Sequence, residues 1–444
     1  MSASGYAPPA EDRAVGIEFY LSRSPGVPGR LKSDAGAFQV REISEYPPPV
    51  PDGPFTILRI ESANWEQHDL ADAVARAIGL PRGRLRWSGT KDRRAVAERL
   101  FSYRGPPPSV PLDLPGATVV DVYRSRVGLE LGRHYGNSFT IEVDQLDAPW
   151  SVAGPRYAAV EEELRAAGGF PNFFGRQRFG EVRPVTAAVG RELVAGRIDR
   201  ALDVYLADLS AAPAGPGADA RREYARHHDP VRALREFPRH FTFERAILRE
   251  LANGRPPERA LGALSRELRT LFVHAYQSLL FNRWLSIRWR SGLSLRTPEP
   301  GDRIVVRGRD GTIRASEPIP VTADNESECR ALVARGTAWL AGPLVGYGSD
   351  LGDGAPRELI DRVLEDEQVT PTMFRLPNFP DLASRGTWRP ALVAVPRTER
   401  SAVADPAATG DGGGRVRFAF ALPKGAYATV YLREFLKTGA TAVP

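Results

Sequence analysis

Apolar and polar residues alternate with a period of two along short segments at both ends of the chain, and this period predicts β-strands. The segment 136–143 is the strongest, because Phe139, Ile141 and Val143 fall on one face. The other predicted strands are 16–22, 37–43, 55–60, 84–87, 95–103, 118–124, 127–131 and 415–422. Residues 1–14 carry no such period and are predicted to be disordered.

Helical spacing of apolar residues dominates the middle of the chain. Near the N-terminal end, Asn64 is a candidate N-cap with Gln67 at the capping-box position, which predicts a helix to about residue 80. Further helices are predicted over 155–167, 185–209, 241–252, 258–290 and 426–437, with a short β region at 301–306 and 342–346.

The return of strand patterns after a helical middle predicts an insertion into a sheet domain. We therefore expect a discontinuous sheet domain over 1–171 and 395–444, with a second domain over 172–394. The fold class is α/β (α+β), with a mixed or antiparallel sheet. At 444 residues the chain is long enough for two or three domains.

The composition is that of a globular protein, with 42% hydrophobic and 26% charged residues. No apolar run is long enough for a transmembrane helix, and the first residues lack the pattern of a secretory signal. The single cysteine, Cys329, excludes an internal disulfide, and the six histidines have no metal-site spacing. These features predict a cytoplasmic protein without a membrane or metal partner.

The net charge of +6 suits a polyanionic partner. Only four of the 60 basic residues are lysine, at positions 32, 91, 424 and 437. The guanidinium of arginine pairs with phosphate at two points and stacks on bases. GC-rich coding would enrich arginine too, so the excess alone does not identify a nucleic acid as the partner.

The turn at 88–94, Ser-Gly-Thr-Lys-Asp-Arg-Arg, is the main candidate for chemistry. Asp92 follows a strand among small residues, with Lys91, Arg93 and Arg94 beside it. A carboxylate among cations keeps a low pKa and stays ionised, as a nucleophile must. A solvated surface turn explains the same residues equally well. The segment alone leaves both interpretations open.

Two aromatic segments also allow two interpretations. Phe139 at the start of the strongest strand is typical of a core residue, although its position also suits a platform for a base. In the loop 171–180, PNFFGRQRFG, aromatics alternate with Arg176 and Arg178, which suits stacking on unpaired bases. A packed core loop between glycines is the alternative.

Together, five segments resemble the TruD family of RNA pseudouridine synthases. They are GTKDRRAV (89–96), GNSF (136–139), NFFGRQRFG (172–180), HAYQSLLFNRWLS (274–286) and LPKGAYATVYLREF (422–435). They follow the order of the family and cover the chain from about residue 30 to its end. The long central insertion is similar to that of the archaeal and eukaryotic branch.

The resemblance implies a tRNA pseudouridine synthase that acts chiefly on uridine 13 and needs no cofactor or metal. It implies that Asp92 is the nucleophile, Phe139 the active-site aromatic residue and Lys32 the partner of the aspartate. The residues after Lys32 depart from the family pattern, because Ser-Asp-Ala-Gly-Ala-Phe follows this lysine instead of Pro-Glu-Asp-Phe. The expected RNA- or substrate-binding residues are Lys91, Asn137, Asn172, Phe173, Arg176, Arg178 and Arg433. The arginines at 283–290, among them Arg288 and Arg290, are a further expected RNA contact.

Two other functions remain to be distinguished. A catalytically silent RNA-binding protein on the same fold should lack an aspartate at position 92, which this chain has. A phosphotransferase is disfavoured because the segment 89–92 lacks P-loop spacing.

Overall fold

The computed structural model describes residues 5–31, 36–44, 46–81, 83–87, 89, 95–130, 135–180, 183–208, 215–308, 313–403, 414–439 and 441–442. The strands are β1 (Tyr6–Ala7), β2 (Arg30–Leu31), β3 (Phe38–Ile43), β4 (Phe55–Ala63), β5 (Arg86–Trp87), β6 (Val96–Arg104), β7 (Ala117–Ser125), β8 (Gly136–Asp144), β9 (Phe170–Pro171), β10 (Arg303–Val306), β11 (Ile319–Pro320), β12 (Ala338–Leu344), β13 (Thr387–Pro390), β14 (Leu392–Val393), β15 (Glu399–Val403), β16 (Arg415–Pro423) and β17 (Thr441–Ala442). The helices are α1 (Ala10–Arg13), α2 (Gln67–Ala77), α3 (Trp150–Ala166), α4 (Thr186–Val194), α5 (Ile198–Ala207), α6 (Pro216–His227), α7 (Pro230–Glu236), α8 (Thr242–Ala252), α9 (Pro257–Gly262), α10 (Arg266–Arg290), α11 (Glu326–Ala334), α12 (Gly354–Asp366) and α13 (Ala428–Leu436).

The chain divides into two compact units. One, called the sheet unit, comprises residues 22–166 and 394–439, and the other, called the helical unit, comprises 1–21, 167–393 and 440–444. The chain passes from one unit to the other after residues 166 and 393, within five residues of the expected boundaries after 171 and after 394. The N-terminal segment 1–21 differs from expectation, because it belongs to the helical unit.

The sheet unit is built on one large sheet with the strand order β15-β16-β8-β3-β6-β4-β7, and β2 and β5 pair with β8 and β6. Neighbouring strands in this sheet are antiparallel, except that β3 and β6 run parallel, with Gln39 opposite Val96. The mixed α/β fold class expected from the sequence is therefore confirmed.

Period-two alternation in these strands places one set of apolar side chains under the helices, while Ile57, Leu100 and Leu129 form a smaller buried cluster on the other face. On β4 and β6 the side chains of Leu58, Ile60 and Phe101 join Leu70 and Val74 of α2 in one apolar cluster. Another part of the sheet packs against α3 and α13: the ring of Phe418 lies 5.5 Å from Tyr157 and 5.7 Å from Phe435. The strand pattern thus determines which face of the sheet is apolar, and helices α2, α3 and α13 cover that face.

The helical unit is organised around α10, the 25-residue helix whose middle is almost wholly buried. Helix α4 approaches it very closely at Gly190, where an added Cβ would lie 2.0 Å from the carbonyl oxygen of Phe272. A four-stranded sheet of order β11-β10-β12-β13 completes the unit, with Ile304, Cys329 and Val333 in its core cluster.

The N-terminal predictions are wrong for the residues that the structure describes there. Residues 10–13 form α1, and residues 16–21 are not a strand. Instead, Asn282 Nδ2 donates to Val15 O at 2.8 Å and Ser286 Oγ donates to Gly16 O at 2.7 Å. Side chains of α10 thus donate hydrogen bonds to backbone carbonyls of this segment. No local sequence pattern indicates these contacts.

Several predicted elements differ in their boundaries. The predicted helix 185–209 is two helices separated at Gly196, which has a φ of +74°, and 258–290 is divided before α10 at Ser265. Glu66 caps α2 in place of Asn64, whose φ is +60°. Residues 127–130 form no strand. Within the described ranges, no helix is both long enough and apolar enough to cross a membrane.

Candidate active site

The candidate active site lies on the sheet unit, on the neighbouring strands β8, β3 and β6. Because β3 and β6 are parallel neighbours, their N-terminal ends lie at the same edge of the sheet. Ala37 O, just before β3, accepts from Glu142 N at 2.8 Å, and Ala95 O, just before β6, accepts from Asn64 N at 3.2 Å. Lys32, Lys91 and Asp92 precede these two anchor points in the chain and lie outside the described residues.

Phe139 lies in the middle of β8, between two neighbouring strands. It is opposite Val40 on β3 and opposite Phe420 on β16. Its ring centroid is 6.2 Å from that of Phe38, in an edge-on arrangement, and 5.6 Å from that of Phe420. The residue keeps 8% of its surface exposed. Phe139 is therefore packed on its sides by aromatic rings, while a small part of it still faces solvent.

Asn137 precedes Phe139 by two residues on β8, towards the C-terminal end of β3, and shares its sheet face. It lies opposite Glu42 on β3 and Leu422 on β16. Its Oδ1 atom is buried and has no hydrogen-bond partner among the described residues. A buried acceptor of this kind usually has a partner, so Asn137 can receive a hydrogen bond from a bound molecule.

Gly136, which opens the GNSF segment, has a steric reason for being glycine. An added Cβ would lie 2.1 Å from Leu422 O, on the neighbouring strand β16. Only glycine allows this approach of two backbones. The segment thus holds Asn137 at a fixed position beside β16.

Arg433 lies on α13 and has only a tenth of its side chain exposed. Its Nη1 is 3.4 Å from Glu434 Oε1, and the buried Glu434 also accepts from Ser22 N at 3.0 Å and from Ser22 Oγ at 2.8 Å. Lys437 joins the same cluster by donating to Ser22 O at 3.1 Å. The structure therefore gives Arg433 an internal ionic partner, and little of its side chain is left to meet a phosphate.

Two expected RNA-binding residues of the loop 171–180 lie in the interior of the helical unit. Asn172 Oδ1 accepts from Arg389 Nη2 at 2.6 Å, and its Nδ2 donates to Pro390 O at 2.9 Å. Phe173 has no exposed surface, and its ring packs edge-on against Phe19 at 5.2 Å. A ring without exposed area offers no face to a base, so the packed-loop interpretation fits Asn172 and Phe173.

Arg176 and Arg178 of the same loop are more accessible. Arg176 has 58% of its side chain exposed, and its Nε is 3.7 Å from Asp12 Oδ1. Arg178 Nε donates to Ser278 Oγ at 3.3 Å. Desolvation by surrounding protein atoms, and then the positive charge of Arg178, lower the pKa of His274. Arg176 is thus the residue of this loop best placed to meet a phosphate from solvent.

The segment 274–286 of α10 has a role that the sequence analysis missed. The polar side chains of Gln277, Asn282 and Ser286 in this segment are buried and bond the backbones of surrounding loops. Asn282 accepts from Phe174 N at 2.8 Å and donates to Phe174 O at 3.0 Å, while Gln277 Nε2 donates to Val345 O at 2.6 Å. The signal was present: Ser278, Asn282 and Ser286 recur every four residues within a buried stripe.

Arg288 was expected to contact RNA, but its side chain is fully buried. Its guanidinium forms two parallel bonds of 2.7 and 2.8 Å with the carboxylate of Asp302, and Nε donates to Ser294 O at 2.8 Å. Arg290 is exposed but pairs with Glu18 at 2.7 Å. Arg288 is therefore part of the internal framework of the helical unit.

The structure brings Asn137 and Phe139 together on the sheet unit, whereas Asn172, Phe173, Arg176 and Arg178 belong to the helical unit. In the described ranges, no group of three His, Cys, Asp or Glu side chains is arranged to hold a metal ion.

Comparison with known proteins gives consistent matches along the whole chain. A family model described as tRNA pseudouridine synthase D (TruD) matches residues 14–435. A protein named tRNA pseudouridine synthase D from Halobacterium salinarum is 36% identical over 97% of this chain and 98% of its own length. A protein of that name from Archaeoglobus fulgidus is 34% identical over 96% of this chain and 99% of its own length.

A solved structure has the same fold. The crystal structure described as tRNA pseudouridine synthase D from Methanosarcina mazei superposes with a TM-score of 0.80 at 30% sequence identity. The match covers 97% of this chain and 98% of that one. The similarity therefore includes both units.

Proposed function

Since this chain belongs to the family of tRNA pseudouridine synthase D, we propose that it isomerises uridine to pseudouridine in tRNA, chiefly at uridine 13, with Asp92 as the nucleophile. The observation that carries this proposal is the family match over residues 14–435, which includes the segment 89–96 with its aspartate intact. These relatives carry the name tRNA pseudouridine synthase D and match over nearly their full length, which supports tRNA as the substrate.

The reaction moves the glycosidic bond of uracil from N1 to C5. The N1–C1′ bond breaks, the base turns within the site, and a C5–C1′ bond forms; C5 then loses its proton and N1 gains one. Asp92 can act by attacking C1′, by removing the C2′ proton or by adding to the base. Each route needs an ionised carboxylate, and the neighbouring Lys91 and the proposed partner Lys32 favour that form.

Phe139 and Asn137 form the part of the proposed site that the structure describes. The target base must leave its stack, which costs a few kcal/mol, so an aromatic surface that receives it lowers this cost. Phe139 has no hydroxyl group and therefore transfers no proton. Asn137 Oδ1, a buried acceptor without a protein partner in the described ranges, is suited to accept a hydrogen bond from the flipped nucleotide.

Arg176 and Arg178 are proposed to contribute to RNA binding from the helical unit. The exposed guanidinium of Arg176 supports this role. Asn172 and Phe173 support the loop from within, through the bonds to Arg389 and the packing on Phe19. Glu434 holds α13 to Ser22, and the adjacent Arg433 pairs with Glu434.

The test is the conversion of uridine in an in vitro tRNA transcript by wild-type protein and by Asp92→Asn. The variant keeps size and most hydrogen bonds but has no charge, so single-turnover conversion should fall by more than about a hundredfold while tRNA still binds. Asp121→Asn is the matched control, because Asp121 is an exposed carboxylate on β7 of the same unit.

The outcomes separate the parts of the proposal. Asp92→Asn with more than about a hundredth of wild-type activity contradicts the nucleophile assignment. A transcript with cytidine at position 13 should not be converted, and conversion elsewhere would refute the position alone. Binding of tRNA without any conversion by the wild type would favour the silent RNA-binding protein.

A further inference from the structure

Two loops of the helical unit, 345–349 and 384–386, are joined by their backbones and are together called the double loop. Tyr347 N donates to Ser384 O at 2.9 Å, and the amide that follows Tyr347 donates to Arg385 O at 3.0 Å. Tyr347 and Arg385 therefore lie on segments that are hydrogen-bonded directly to each other.

The double loop is rigid for two reasons. Gln277 Nε2 of α10 donates to Val345 O at 2.6 Å and to Ser384 Oγ at 2.9 Å, so one buried side chain holds both loops. An added Cβ at Gly346 would lie 2.2 Å from the backbone nitrogen of Gly386, an approach that only glycine allows. The conformation of the double loop is therefore fixed by the protein itself.

An exposed arginine is stacked on the tyrosine of the double loop. The backbone of the preceding residue is attached to the loop, because Ser384 N donates to Phe374 O at 3.0 Å. The guanidinium of Arg375 lies 4.6 Å from the ring centroid of Tyr347, which is half-buried. Among the exposed arginines in the described ranges, none lies closer to an aromatic ring.

A second exposed arginine adjoins this stacked pair. A Cβ added at Gly348 would lie 3.7 Å from Arg385 Nε, so the side chain of Arg385 runs alongside the residue that follows Tyr347. Within the described part of the chain, neither the Arg375 nor the Arg385 guanidinium forms an ion pair or donates a hydrogen bond. The stacked pair and Arg385 thus present two uncompensated positive charges.

The acids nearest to these arginines in the chain bind other cations. Asp350 pairs with Arg303 at 2.6 Å, and Asp381 pairs with Arg269 at 3.5 Å. Other exposed arginines of this unit also lack an ion pair, so a missing partner by itself indicates nothing. What distinguishes these two is that both lie against a rigid double loop and that one of them is held in place by a ring.

We propose that Arg375 and Arg385 bind adjoining phosphates of the tRNA backbone, and that Tyr347 positions Arg375 for this contact. Stacking occupies the face of the guanidinium and leaves its N–H groups at the edge, where two of them match two phosphate oxygens. Because the ring already holds the side chain, less rotational freedom is lost on binding. This inference rests on the proposed function, since it assigns a contact to the same substrate.

The charge test is a titration of labelled tRNA transcript across a salt series. Arg375→Ala/Arg385→Ala should lower the log–log salt slope by about 1.4–1.8, at about 0.7–0.9 for each phosphate contact. Arg235→Ala/Arg239→Ala is the matched control, because both residues are exposed in the same unit and form no ion pair or ring contact in the described ranges. The slope of the control should equal that of the wild type.

The positioning test uses Tyr347→Ala, which removes the ring and leaves both charges. Arg375 must then be ordered on binding, so the Kd for tRNA should weaken by about 2- to 12-fold, the range for immobilising one long side chain. Tyr347→Phe keeps the ring and should bind like the wild type. When Arg375 is already alanine, Tyr347→Ala should have no further effect, because the ring acts only through that arginine.

The results distinguish this inference from the proposed function. Wild-type salt slope in Arg375→Ala/Arg385→Ala would overturn the phosphate contacts, and so would an equal fall in the control, which would indicate an effect of net charge alone. Equal losses from Tyr347→Ala with and without Arg375 would overturn the positioning role. If the wild type binds tRNA without converting it and the variants show the expected losses, the inference holds and the isomerase function fails.

Discussion

Replacing Phe139 tests whether this residue is more than part of the core. The ring is 92% buried between Phe38 and Phe420, so Phe139→Ala opens a cavity in the sheet. Phe→Ala changes in cores cost about 3–5 kcal/mol, of which each aromatic pair supplies about 0.5–1.5 kcal/mol. We therefore expect a large loss of stability for the alanine variant whatever the function of the ring.

The leucine variant separates packing from substrate contact. Phe139→Leu keeps much of the volume and should cost less than about 1.5 kcal/mol if the neighbours repack. If the ring stacks on the flipped base, loss of the π-face should cost about 1–3 kcal/mol of binding energy for that base. The conversion rate should then fall by about 5- to 150-fold. Phe139→Tyr should stay folded and keep the stacking surface.

The assay must report on the sheet unit alone, because a chain of two units need not unfold in one step. Hydrogen exchange of peptides from β8 and β16 measures local stability, and single-turnover conversion is recorded at a temperature where both variants are folded. Phe418→Leu is the control: Phe418 has no exposed surface and packs on Tyr157 and Phe435. Wild-type conversion by folded Phe139→Leu would refute the platform role and leave core packing as the explanation.

Two further predictions concern buried or bonded charges away from the proposed site. Arg288→Ala should cost about 3–5 kcal/mol of stability, because it leaves the Asp302 carboxylate buried without its partner. In thermal unfolding, Arg288→Met/Asp302→Leu should recover most of this loss. Unchanged stability of the single variant would contradict the prediction. Burial by itself raises the pKa of Glu163, but hydrogen bonds from Ser24 Oγ and from the backbone N–H groups of Arg23 and Ser24 lower it below its ordinary 4.5. Glu163 therefore stabilises the folded chain above pH 4.5, and this contribution is lost as the pH falls through the lowered pKa, because the unfolded state then binds the proton more readily. Thermal midpoints from pH 7 to pH 3 should fall less steeply for Glu163→Gln than for the wild type, and identical profiles would refute the assignment.

Several strand patterns that depend only on neighbouring residues were read correctly from the sequence. Alternation and β-favouring composition predicted β3, β4, β6, β8 and β16, because a half-buried strand imposes a period of two and favours β-forming residues. The five family segments in order predicted the family and the mixed α/β fold, because together they cover nearly the whole chain. Phe139, Ile141 and Val143 were placed on one face for the same reason: they alternate along one strand.

What only the tertiary structure decided is which side chains meet across long distances in the chain. Nothing near Phe173 indicates that Phe19 will cover its ring, and nothing near Arg288 indicates that Asp302 will neutralise it. The same holds for the N-terminal segment, whose backbone groups are bonded by Asn282 and Ser286. A periodic pattern states that a face is buried but not by what, because burial is set by surfaces that come from distant segments. An arginine or phenylalanine that the sequence predicts as an RNA contact can therefore be internal, as are Phe173 and Arg288, or exposed, as is Arg176, and only packing separates the two.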